Sequence, residues 1–159
     1  MNKLKIISIV GVILILIFTY FRENLLLEIN ALLSGELFDR SYFYWFFDFF
    51  KDMDQPNLVR WKWGVTAFFS LMITLLTIGS LYCWFGAFQM IKFISKLYLL
   101  LFGVLTIVAV VGFLFNSFAT VYPLLRKVLG LVQSPIPFFG FYLLIYKINN
   151  QKEPNSKVD

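Results

Sequence analysis

Histidine is missing from this chain of 159 residues, and cysteine occurs once, at Cys83. A lone cysteine excludes an intramolecular disulfide. No pair of cysteines or carboxylates has the spacing of metal ligands, and no glycine-rich phosphate loop is present. A cysteine nucleophile needs an activating base or cation beside it. Cys83 has none in its neighbourhood, and reads as a small apolar core residue. Charge is also scarce: 14% of residues are charged, against about a quarter in an ordinary soluble domain. No Asp or Glu falls in the middle of an apolar block, which argues against a proton-coupled transporter, because those use ionisable groups within the membrane. An enzyme is therefore not expected, nor a cofactor or a metal. The net charge of +5 does not point to nucleic acid, since the cations divide between the two faces of the expected membrane.

What is abundant is apolar surface, at 60% of residues and a mean hydropathy of +0.78. It comes in long blocks, and a bilayer core about 30 Å thick needs about 20 apolar residues in helix. The blocks predict an all-α integral membrane protein, a single membrane domain over 1–159 with transmembrane helices at about 4–21, 64–88, 97–118 and 124–146. Pro135 and Pro137 interrupt the last block and predict a kink near Ser134. Lys3 and Lys5 before the first block resemble a secretion signal, but "FTYFREN" offers no small-x-small cleavage site. The first helix is expected to stay as a signal anchor.

An even number of spans puts both ends on one side. Seven Lys/Arg fall on each side, so the raw count does not decide which. Those on the terminal side sit in shorter segments, and the first helix has lysines before it and an Arg–Glu pair after it. Both termini are expected in the cytoplasm, the tail being 147–159, and the protein in a bacterial inner membrane.

The first extramembrane loop, about 22–55, contains "SYFYWFFDFF", in which eight of ten residues are aromatic. On a helical wheel Tyr42, Phe43, Phe46, Phe49, Phe50 and Met53 fall opposite Arg40, Tyr44, Asp48, Lys51, Asp52 and Gln55. That segregation predicts an amphipathic aromatic helix lying in the interface plane. It is either an anchoring belt or a docking surface, in which Tyr42, Trp45, Phe46 and Phe49 would touch a partner or lipid. "RENLLLEINALLSG" before it either continues the first helix or bends onto the surface, with Gly35 and Asp39 as break points. Pro56 and Asn57 are expected to end the outer segment.

Within the spans, small and polar residues mark packing stripes: Ala67, Ser70, Thr74 and Thr77 on the second, Thr106, Ala109, Gly112 and Asn116 on the third, Gly130, Gln133, Pro137 and Gly140 on the fourth. Arg126 and Lys127 stand out. They flank the fourth apolar run on the expected outer side, and deeper placement would cost roughly 2.5–3.5 kcal/mol each. Either they snorkel, or they form a basic cluster with Arg60 and Lys62, framed by Trp61 and Trp63. Such a cluster suits a lipid phosphate or a partner's carboxylate.

The order of these features resembles the small membrane proteins associated with exosortases F and X. The matching pieces are "YFREN", the aromatic and acidic loop with Pro56 near its end, "LVRWKWGV", "IKFISKLYLLLFGV" and "YPLLRKVLGLVQSPIPFF", over roughly 18–146. Arg126 and Lys127 fall on that family's double-basic positions. The second proline of the Pro135/Pro137 pair departs from its single-proline pattern. The resemblance implies a non-enzymatic accessory subunit that binds or positions a membrane-embedded sorting protease or its substrate, with membrane lipids and an exosortase-like protein as partners. The alternative from composition is a small pore-forming, holin-like or transporter-component protein.

Overall fold

In lipid every backbone N–H and C=O must bond within the chain, which makes helix the form available to the apolar blocks. The computed structural model describes residues 3–35, 46–115 and 118–152, and there the chain is all helical: α1 (Lys3–Ser34), α2 (Phe47–Phe50), α3 (Gln55–Phe85), α4 (Phe88–Leu114), α5 (Phe118–Val132) and α6 (Ile136–Lys152). Three of these, α1, α3 and α4, are long and apolar enough to cross a membrane. The α5–α6 pair, bent by 55°, passes the same test together, so the described residues hold up to four spans.

The centre of the fold is the α1–α3 pair. At 1.5 Å per residue α1 is about 48 Å long and α3 about 46 Å, well beyond a hydrocarbon core of about 30 Å. Near the start of α1, Ser8 Oγ donates to the Ser80 carbonyl of α3 at 2.8 Å. One turn further along α1, Gly11 leaves the space that Ser80 Oγ occupies; a Cβ there would sit 2.1 Å from that oxygen. Small residues let membrane helices pack in this way. Ile15 and Ile29 of α1, Ile73 and Leu81 of α3, Ile94 of α4 and Ile145 of α6 are the fully covered apolar side chains.

Trp63 and Trp84 mark the two ends. They lie 21 positions apart on α3, about 32 Å, which matches the thickness of a bilayer core. Around Trp84 gather Tyr142 at 5.9 Å and the Lys5 ammonium at 5.5 Å. Around Trp63 stand Tyr122, at 6.1 Å, and Lys62. Aromatic and cationic residues favour the headgroup level, so these two belts stand where the ends of a span would put them.

Helix boundaries depart from the expected ones. The second span begins at Gln55, not Gly64, because Asp54 is extended and Pro56 sits at the first positions of α3, where its missing N–H costs nothing. Pro56 opens a helix rather than closing the outer segment. The turn into the third span is only Gly86–Ala87. Gly86 takes the left-handed conformation, φ 62°, and its N–H caps Tyr82, so α4 starts at Phe88 and carries Lys92 and Lys96. Arg22–Ser34 continue α1 without a break, and Gly35 follows in a left-handed conformation. The break between α5 and α6 falls at Gln133–Pro135. There Ser134 Oγ donates to the Leu131 carbonyl at 2.7 Å and accepts the Ile136 N–H at 3.3 Å.

The expected amphipathic helix over 40–55 is corrected. Its described part is a single turn, Phe47–Phe50, followed by a turn at Lys51–Asp52. It cannot run to Gln55, since Asp54 must be extended to start α3. Phe50 is buried rather than facing lipid, and packs with Phe49 against Trp61. Lys51 Nζ donates to Asp48 Oδ1 at 2.9 Å, and that bond holds the Lys51 pKa above its ordinary value. The pair is exposed and contributes little to stability. Asn116 and the tail beyond Lys152 lie outside the described residues.

Candidate functional site

α5 crosses α3 obliquely, and this creates the site. Tyr122 meets Trp63, while Gln133 Nε2 donates to the Thr66 carbonyl at 2.9 Å and also to Ser70 Oγ. Between those two contacts α5 advances 11 positions, about 16 Å, but α3 only three, about 5 Å. Arg126 and Lys127 therefore stay near the level of Lys62 instead of descending into the apolar layer. α1 closes the third side through Thr19, whose Oγ1 donates to the Gln133 carbonyl at 3.2 Å.

The resulting cavity between α1, α3 and α5 has a volume of about 520 Å³. Arg22, Lys62, Arg126 and Lys127 line it, against one carboxylate, Glu23. Lys62 lies over the Tyr122 ring at 5.5 Å. The side-chain nitrogens of Lys62, Arg126 and Lys127 form no hydrogen bond or ion pair with any described residue. Arg22 is 8% exposed and donates to Glu23 Oε1 at 3.2 Å, while its Nε has no acceptor among the described residues. Gln133 is 0% exposed, and its Oε1 has no donor among the described residues. A buried cation and a buried amide oxygen left half-satisfied are costly, and a ligand carrying acceptors and a hydroxyl would relieve both.

No protein-family model, curated protein or solved structure matches this chain.

The expected site residues divide. Lys62, Arg126 and Lys127 come together. Arg60 does not line the cavity; it reaches back to Asn57 Oδ1 at 3.2 Å. Two positions along a helix is about 200° of rotation, so Arg60 and Lys62 cannot face the same way. Trp61 and Trp63 diverge for the same reason. Phe49 follows Trp61, 5.5 Å between ring centres, and Phe46 lies exposed in the same segment, apart from the cavity. Tyr42 and Trp45 lie outside the described residues. Sequence reasoning passed over Arg22 and Gln133 as site residues. Their signals were present: an arginine immediately after a 16-residue uncharged run, and a lone amide within the last apolar block.

A second, apolar groove of about 540 Å³ lies between α3, α4 and α5. Of the small-residue stripes, Ala67, Ser70, Thr74, Thr106 and Ala109 line this groove and Gly130 and Gln133 line the basic cavity. Thr77 and Ser80 are buried, and Gly140 is exposed. Cys83, near the Trp84 end, is a free, half-buried thiol. No three His, Cys, Asp or Glu among the described residues could share a metal ion.

Proposed function

We propose that this chain is a non-enzymatic accessory protein of a bacterial inner membrane, both termini cytoplasmic, that holds an anionic group at its basic cavity. Through that grip it positions a membrane-embedded sorting protease of the exosortase kind, or the substrate of that protease. The observation that carries the reading is the convergence of four cations from three helices on one carboxylate at the Trp63 belt. Surface lysines and arginines that merely snorkel have no reason to converge, since like charges repel. The resemblance to exosortase-associated proteins supplies the class of partner and rests on the sequence segments alone.

The test is co-purification of the full chain with the membrane protein encoded beside it. Arg126→Gln combined with Lys127→Gln should lower recovery of the partner about tenfold while leaving insertion and expression unchanged. Partner recovery equal to the unmodified chain would reduce the two residues to anchors. Conductance by the purified chain in planar bilayers, with no stoichiometric partner, would favour the small pore instead.

A further inference from the structure

The basic cavity and the apolar groove are neighbours. Trp63, Thr66, Leu125 and Leu129 line both. From Trp63 the groove follows α3 to Ile78, 15 positions or about 22 Å. One leaflet of a bilayer core is about 15 Å deep. The wall is mostly apolar, Leu71 and Leu75 of α3 and Leu99 and Val110 of α4 among its residues, although hydroxyls of Ser70, Thr74 and Thr106 also belong to it. α4 leaves much of its own surface uncovered, Leu99 being 77% exposed, so the groove is reached from the side, where lipid would be. A cationic pocket at the Trp63 belt, continued by an apolar slot longer than one leaflet is deep, has the two halves of an amphiphile in the right order.

We propose that this composite site binds one anionic phospholipid, with its phosphodiester among Arg22, Lys62 and Arg126 and an acyl chain along the α3–α4 groove. The proposal rests on the anion-holding reading of the cavity and names its ligand. Two arginines and a lysine fit a phosphate, because guanidinium groups bind its oxygens in pairs. Arg22, buried beside one carboxylate and with Nε unpartnered, gains the acceptor it lacks. Gln133 Oε1 is an acceptor in the same wall, so a headgroup bearing a hydroxyl, as in a glycerol ester, completes it. Choline offers no such donor, and a zwitterionic headgroup leaves the surplus positive charge uncompensated.

The experiment uses the full chain purified in a neutral maltoside detergent. Phosphatidylglycerol, phosphatidylcholine and inorganic phosphate are titrated separately, and the thermal unfolding midpoint is read. Phosphatidylglycerol should raise the midpoint by about 5 °C at saturation; phosphatidylcholine and inorganic phosphate should leave it within 1 °C or so. Arg126→Gln with Lys62→Gln should abolish the rise, and Arg60→Gln, outside the cavity, should keep it. Ala109→Phe, or Ala67→Phe if the first does not give a monodisperse protein, fills the groove without touching the charges and should also abolish the rise. Equal rises with both lipids, or a full rise in the charge variant, overturn the proposal. A rise with inorganic phosphate equal to that with phosphatidylglycerol assigns the cavity to a free anion and removes the acyl chain from it. The same variants are scored for partner recovery. If the charge variant loses the partner while the two lipids act alike, the lipid assignment fails and the anion-holding reading stands. If neither lipid nor partner responds to the charges, both fail.

Discussion

Ser8 of α1 donates to the carbonyl of Ser80 on α3, 72 positions away in sequence, and the empty side of Gly11 accepts the hydroxyl of that same Ser80. Together the two contacts tie the start of α1 to the last turns of α3. Gly11→Ala should destabilise the detergent-solubilised protein by about 1–3 kcal/mol, the usual cost of overpacking. Pairing it with Ser80→Gly moves the small residue to the other helix and should recover most of that loss. A double variant no better than the single one would show that Gly11 matters for something other than this contact.

Removing the hydrogen bond alone is a milder change. Ser8→Ala should cost about 0.6 kcal/mol, the typical value between membrane helices. Thermal unfolding in detergent measures it, and a loss above about 2 kcal/mol would mean that Ser8 has a role beyond this bond.

Trp63 and Trp84 should report opposite interfaces. In single-tryptophan variants reconstituted with brominated lipids, each should be quenched most by bromine placed near the headgroup. Quenching of Trp63 that is strongest at the ends of the acyl chains would displace the basic cavity from the membrane surface and remove the Trp63 belt from the end of a span.

Replacing Cys83 should be silent. Cys83→Ser should leave expression and partner recovery unchanged, and it supplies a cysteine-free background. On it, Asn57→Cys should react with a membrane-impermeant maleimide in intact spheroplasts, and Lys147→Cys only after permeabilisation. The reverse pattern would invert the orientation and place the cavity on the cytoplasmic face.

The spans were legible in the sequence because the hydrocarbon core imposes a length that runs of Leu, Ile, Val and Phe either meet or miss. The break beside Ser134 was legible too, since Pro135 removes a donor. The ends were less so. Pro56 lies at the junction of two segments, and proline both closes one and starts the next; only the extended backbone of Asp54 shows which. Gly86 and Ala87 make the whole α3–α4 turn, where the expected spans left an eight-residue connection. At the site, the double-basic pair was visible as an exception to the usual charge bias. Arg22 was marked only by its place after a long uncharged run, and nothing local distinguishes an arginine that leaves an apolar block for water from one buried against other helices. Gln133 looked like one member of a packing stripe, and its unpaired oxygen exists only because Thr66 and Ser70 hold its nitrogen.

The length of α1 has a mechanical meaning. From Arg22 the helix runs 12 more positions to Ser34, about 18 Å, and its side chains as far as Asn30 line the basic cavity. Ile29 of this stretch and Leu58, near the start of α3, belong to one buried cluster, so the extension is packed rather than free-standing. One wall of the cavity is therefore a continuous rod of helix, and a ligand held there would be gripped by a surface that cannot bend at Arg22 to adapt to it.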